Sequence, residues 1–195
     1  MRLFVAVILG EAIEARAREA MKRLKGLAPD ARWVPPVNLH LTLSFLGEVE
    51  EERLPALSEA LAGVATAHAP LTLAVRGGGS FGRPASPRVL WADVGGETEA
   101  LKALQADVAQ ALKALGFELE ERDYTAHLTL ARAKLPQRGD RELAECVRAL
   151  KGEDWGETRV DRLILFESKK GQSLPRATAS LSKSPLPLGE GQGEG

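Results

Sequence analysis

Residues 39–46 read Leu39-His40-Leu41-Thr42-Leu43-Ser44-Phe45-Leu46, and residues 126–131 read Ala126-His127-Leu128-Thr129-Leu130-Ala131. Both stretches alternate apolar and polar side chains, the period of a strand buried on one face. On such a strand His40 and Thr42 point one way while Leu39, Leu41 and Leu43 point the other. The leucines anchor the strand on a core. The imidazole and the hydroxyl are then held on a rigid platform that faces outward or into a cleft. His127 and Thr129 repeat the arrangement, and these two copies of HLTL hold two of the three histidines in the chain.

The copies are 87 residues apart, and the same shift carries Phe4-Val5-Ala6-Val7 onto Trp91-Ala92-Asp93-Val94. Working outward, residues 3–9 read as a strand and 11–25 as a helix with Ile13, Ala17, Met21 and Leu24 on one face. Residues 32–36, with two prolines, read as a loop or a strand edge. Helices are predicted over 51–64, 97–115 and 140–150, and strands over 39–46, 71–75, 89–94, 126–131 and 160–166, with a last short one over 177–181. Residues 76–87, rich in Gly and Pro, read as a loop.

Each half thus runs strand, helix, His strand, helix, strand, an internal repeat of about residues 1–81 and 88–168. A doubly wound parallel sheet is the competing reading. Against it, no phosphate fingerprint follows the first strand, and the strands alternate as half-exposed ones do. The expectation is an α+β fold with two pseudo-symmetric lobes, each an antiparallel sheet with outer helices, around a central cleft. It occupies residues 1–181 as a single bilobed domain, and residues 182–195, SKSPLPLGEGQGEG, lack apolar content and read as a flexible tail.

The 195 residues are enough for a substantial core, and 44% hydrophobic with 27% charged residues is ordinary for a globular protein. A net charge of −1 argues against a protein that coats long nucleic acid by charge alone. A local basic cleft for a short RNA end remains compatible with it. No apolar run reaches the roughly 18 residues of a membrane span, and the opening MRLFVAVILG reads as a strand and not as a signal peptide. The single cysteine, Cys146, allows no internal disulfide and reads as a buried, inert thiol on a helix. A cytoplasmic location is expected.

If the two halves face each other, one cleft holds two imidazoles and two hydroxyls. That set suits phosphoester cleavage: one group takes a proton from water, and another gives a proton to the departing ribose oxygen. Two histidines with an ordinary pKa of about 6.5 can divide those tasks at neutral pH. Thr42 and Thr129 can donate hydrogen bonds to the non-bridging phosphate oxygens. A metal site is the weaker reading, because each copy offers one strong ligand and no His/Cys/Asp/Glu cluster stands beside it.

The doubled HxTx, with LFVAVIL, WVPPVNLHLTLSFLGEV, FGRPASPRVLWADVG and YTAHLTLARA around it, resembles the two-histidine phosphoesterase superfamily over about residues 2–181. Within it, the chain is similar to the bacterial and archaeal RNA 2′,3′-cyclic phosphodiesterases, also called 2′-5′ RNA ligases. The resemblance implies hydrolysis of a terminal 2′,3′-cyclic phosphate to a 2′-phosphomonoester without metal or nucleotide cofactor, with 2′-5′ ligation as a reversible side activity. It implies that His40 protonates the leaving 3′ oxygen, that His127 activates water, and that Thr42, Thr129 and Arg132 hold the phosphate. The implied partner is an RNA end bearing the cyclic phosphate, tRNA fragments among the candidates, and a monomer that needs no membrane. In an ideal strand Arg132 falls on the face opposite His127, so a bulge or a strand end is required there. Its repeat partner is Phe45, which either stacks on a base or packs in the core, with the core favoured. The Pro that often precedes the second motif in this family is Ala126 here.

Other features carry less. The glycines of residues 76–83 lack the Gly-Lys-Ser/Thr ending of a phosphate loop, and Arg83 and Arg88 read as solvated loop charges or guides for RNA. His68 has no repeat partner and reads as a surface residue. Trp33, Trp91 and Trp155 read as core or lobe packing. A non-enzymatic RNA-end binding module is the second functional reading, disfavoured because binding alone needs no proton donor and acceptor.

Overall fold

A computed structural model describes residues 1–120 and 123–183. In chain order it contains β1 (Arg2–Val7), α1 (Gly10–Leu27), β2 (Arg32–Trp33), β3 (Leu41–Glu48), α2 (Leu54–Thr66), β4 (Leu71–Arg83), β5 (Ser86–Gly96), α3 (Thr98–Ala114), β6 (His127–Arg132), α4 (Arg141–Leu150), β7 (Asp154–Val160), β8 (Arg162–Lys169) and β9 (Gln172–Ser180). Two sheets form, ordered β3-β1-β8-β9 and β2-β6-β5-β4-β7. Every pairing within them is antiparallel, as the alternation of the His strands requires and as a doubly wound fold would not allow. The helices form where apolar residues recur at helical spacing. Leu101, Leu104, Val108 and Leu112 of α3 are fully buried, and Asp140 caps α4 by accepting a hydrogen bond from the Glu142 amide.

The sheets do not follow the two halves of the sequence. β4, from the first half, pairs with β5 of the second, and β8, from the second, pairs with β1 of the first. The helices cross over in the same way: α1 and α4 pack on the sheet of β5, and α2 and α3 on the sheet of β1. One hydrophobic core therefore runs through both lobes, from Leu3, Val5 and Val7 to Leu90, Ala92 and Val94. A smaller cluster of Phe4, Ala6, Ile164 and Phe166 sits on the other face of the first sheet.

Several local expectations are corrected. The Gly-rich residues 76–83 belong to a 13-residue strand, β4, paired with β5 and not looped. Glycine ordinarily weakens a strand, but here the missing side chains admit a close approach. A Cβ on Gly79 would lie 2.5 Å from the Trp91 ring, and one on Gly78 would lie 2.5 Å from the Trp91 carbonyl oxygen. β7 falls outside the strands that periodicity predicts, and β9 is nine residues long where the sequence predicts a short strand. His68 is not a free surface residue: its Nε2 lies 2.7 Å from an Asp107 carboxylate oxygen, fastening the end of α2 to α3. Of the expected tail, Ser182 and Lys183 donate backbone hydrogen bonds to the Ala65 and His68 carbonyls, and the rest lies outside the described residues. Cys146 is buried as expected. Burial, with Asp140 next, pushes its thiol up to about 11, so it stays protonated at neutral pH. Among the described residues no helix is long and apolar enough to cross a membrane.

The contact of Gly79 with Trp91 makes a measurable demand. Gly79→Ala is expected to destabilise the protein by about 1–3 kcal/mol, read as a lower midpoint in chemical denaturation. Gly95→Ala, where a new Cβ would meet nothing within 4 Å, is expected to move stability by less than about 0.5 kcal/mol. Equal effects would contradict the packing.

Candidate active site

His127 opens β6 and His40 immediately precedes β3, and each strand then adds one residue soon after. In β3 the register against β1 runs Ala6↔Thr42 and Val5↔Ser44, leaving Leu43 as the extra residue. In β6 the register against β5 runs Trp91↔Thr129 and Leu90↔Ala131, leaving Leu130 extra. The two bulges occupy equivalent positions of the repeat. Each buries two successive residues, Leu43 with Ser44 and Leu130 with Ala131, and so reverses the parity beyond it. Phe45 and Arg132 thereby come onto the same faces as His40–Thr42 and His127–Thr129. The bulge that Arg132 needed is present. Phe45 is 61% exposed, so the expectation that it packs in the core is wrong. The bulge could not be read from the alternation, because Leu43 and Leu130 look like ordinary core residues.

The two rings are held alike. His40 Nδ1 lies 2.7 Å from the Asn38 carbonyl oxygen, and His127 Nδ1 lies 2.8 Å from that of Thr125. A carbonyl only accepts, so Nδ1 carries the hydrogen and Nε2 is the nitrogen left free for chemistry. Asn38 and Thr125 are themselves 87 residues apart, a signal that sequence reading could have used. Asn38 is anchored in turn by its Nδ2, which donates to the Gly171 carbonyl at 2.9 Å in the β8–β9 turn.

An aromatic ring lies against each imidazole. Phe4 is 4.7 Å from His40 between ring centroids and stacks on Phe166 at 5.3 Å. Phe81 meets His127 edge-on at 4.8 Å, and Trp91 is 6.3 Å from it. Phe4 and Trp91 are repeat partners. Where the first sheet sets Phe4 beside Phe166, the second sets the larger Trp91 over bare Gly79. Of the other tryptophans, Trp155 is in the core and Trp33 is half-buried, donating through Nε1 to the Ala28 carbonyl.

The two motif strands lie against each other. Tyr124, three residues before His127, donates its hydroxyl to the Thr42 carbonyl at 3.2 Å, a bond from one motif to the other. Burial pushes its phenol well above the ordinary value, so it remains a donor at all working pH. Sequence reading misses Tyr124, although it is the only tyrosine in the chain. Arg132 joins the two histidines electrostatically. Burial lowers the pKa of each imidazole, its Nδ1 bond to the backbone carbonyl raises it, and the charge of Arg132 lowers it again, with a net lowering in both. The charge of Arg132 thus reaches both rings. Among the described residues, no group of three or more His, Cys, Asp or Glu could hold a metal ion.

A family model described as LigT like Phosphoesterase matches the chain twice, over residues 9–91 and 94–176. A protein of Archaeoglobus fulgidus named RNA 2′,3′-cyclic phosphodiesterase is 41% identical over 168 residues, which is 86% of this chain and 91% of that one. The crystal structure of TT0787 of Thermus thermophilus is similar with a TM-score of 0.73 at 30% identity, covering 95% of this chain and 100% of the other. The crystal structure of Escherichia coli LigT in apo form is similar with a TM-score of 0.68 at 25% identity, covering 93% and 98%.

The shared effect of Arg132 gives a direct test. Removing a charge that lowers both pKa values must raise both. In Arg132→Gln, the imidazole titrations of His40 and His127, followed by NMR, are expected to move together to higher pH. A shift in one ring only would break the shared-site geometry.

Proposed function

The chain belongs to the LigT-like phosphoesterase family, and from that membership and its paired histidines we propose that it is an RNA 2′,3′-cyclic phosphodiesterase. It hydrolyses a terminal cyclic phosphate to a 2′-phosphomonoester by metal-independent acid and base catalysis. The observation that carries this reading is the matched pair of imidazoles, each with Nδ1 engaged by a backbone carbonyl and both within the field of Arg132.

His127 Nε2 takes a proton from water, whose oxygen attacks phosphorus. The bond from phosphorus to the ribose 3′ oxygen breaks, and His40, protonated on Nε2, gives its proton to that oxygen. The 2′ bond stays, which leaves a 2′-phosphate. Thr42, Thr129 and Arg132 donate to the non-bridging oxygens, where charge grows in the transition state. Since both pKa values are lowered in the free protein, His40 needs help to be protonated. The phosphate anion in the cleft opposes the charge of Arg132 and supplies that help. Phe45, exposed on the face of His40 and 6.0 Å from Phe4, offers its ring to the terminal base. An RNA 5′-hydroxyl in place of water would form a 2′-5′ bond at the same site, with hydrolysis dominant in water.

His40→Ala and His127→Ala are each expected to lower turnover of an RNA ending in a cyclic phosphate by about 10²–10⁴-fold, with the 2′-phosphate as the wild-type product. Unimpaired turnover in both variants, or a 3′-phosphate product, would refute the assignment. Tight binding without turnover would favour a binding module. Activity should survive a chelator. The kcat/KM profile should be a bell centred on the acid side of about 6.5, since both free-enzyme imidazoles titrate below their ordinary value. Phe45→Ala should raise KM about tenfold or more, in line with a lost base stack of about 1–3 kcal/mol.

A further inference from the structure

Arg132 has a neighbour of the same sign. In the pairing of β2 with β6, Arg32 lies directly opposite Arg132. Residues opposed in an antiparallel pair put their side chains on one face, about 4.5–5.5 Å apart at Cα, and like charges so placed are destabilising. The bulge at Leu130 puts Arg132 on the face of His127 and Thr129, so that shared face is the face of the second motif. Both arginines are exposed, and among the described residues neither has a carboxylate within ion-pair distance. Elsewhere on this surface arginines rest on acids: Arg76 on Asp154 and Glu157, and Arg176 on Glu51 and Glu167.

More cations gather at this end of the sheet. The Arg88 carbonyl accepts from the Ala133 amide at 2.9 Å, and the Pro87 carbonyl from the Asp140 amide at 2.8 Å. These bonds fold the segment after β6, which carries Lys134 and Arg138, onto the start of β5. The nearby Asp140 carboxylate is already engaged in capping α4. The opposite flank of the cleft differs: the repeat partner of Arg132 is the uncharged Phe45. On the Arg132 flank, positive charge continues across β6 to Arg32 of β2.

We propose that Arg32 is a second phosphate-binding residue, which receives the phosphodiester one nucleotide upstream of the reacting cyclic phosphate. The enzyme is then built for the end of an RNA strand in preference to a free cyclic mononucleotide. An unneutralised pair of guanidiniums on one strand ladder fits two successive phosphates of a single strand: Arg132 takes the reacting one, and Arg32 the next. The inference rests on the cyclic-phosphodiesterase reading and deepens it.

The test compares kcat/KM for a short oligoribonucleotide ending in a 2′,3′-cyclic phosphate with that for the matching nucleoside 2′,3′-cyclic monophosphate. The wild-type protein is expected to favour the oligonucleotide. Arg32→Gln should reduce that preference about tenfold, chiefly through KM, and lower the slope of log kcat/KM against log salt by about one. Arg32→Lys should keep most of the salt slope. A preference unchanged in Arg32→Gln, or no preference in the wild type, would overturn the proposal. Binding of an uncleavable 2′-O-methyl oligonucleotide ending in a 3′-phosphate reads the same site without chemistry, and equal affinity in wild type and Arg32→Gln would also overturn it. Absence of turnover on both cyclic substrates, with binding still weakened in Arg32→Gln, would instead refute the catalytic reading and leave the phosphate site standing.

Discussion

The pairing of β4 with β5 and of β8 with β1 carries the last strand of each half of the chain into the sheet begun by the other half. Much else follows from this exchange. A lobe cannot form from one half alone, since its sheet would lack a central strand and expose an unpaired edge. The shared core, continuous from Val5 and Val7 to Ala92 and Val94, locks the lobes in one relative position. Interiors packed to crystal-like density deform little, so the separation of the two motif strands is set by the whole fold and not by a hinge. Any two groups that must act together on one atom need such rigidity, because small displacements of either are expensive.

On this frame the repeat is kept where the chemistry is common and broken where it is not. Both imidazoles are clamped by a carbonyl two residues back, both threonines follow at the same offset, and both strands bulge at the next leucine. Beyond the bulge the copies part: an exposed Phe45 on one flank, an exposed Arg132 on the other. Beneath the rings they differ again, with Phe4 and Phe166 on one side and Trp91 over Gly79 on the other. The repeat is thus two-fold in its backbone and unlike in the side chains that flank it, an aromatic ring on one side and a cation on the other.

The charge of Arg132 also bears on the electrostatics of the two rings. Burial alone disfavours protonated imidazole, and Arg132 adds to this at both rings. Both histidines are therefore biased toward the neutral form. An anion placed near Arg132 would offset its charge and raise both pKa values again.

How much of this was legible in the chain depends on the range of the cause. The alternation of residues 39–46 determined the strand and the faces of His40 and Thr42, and the 87-residue repeat brought in a second copy, because both are carried by adjacent side chains. The antiparallel α+β class, the buried Cys146 and the helical faces followed from the same local periods. Four things required the folded chain. The exchange of β4 and β8 is a choice between partners with equally suitable apolar faces. The bulges at Leu43 and Leu130 arise from register against β1 and β5, which placed Phe45 outside and Arg132 beside the histidines. The glycines of β4 look like a loop in the sequence, because their reason is the approach of Trp91 from another strand. Tyr124 and Arg32 matter only through what lies across from them, Thr42 in one case and Arg132 in the other. Sequence periodicity reports the direction in which a side chain points, whereas the partner it meets is decided by long-range pairing.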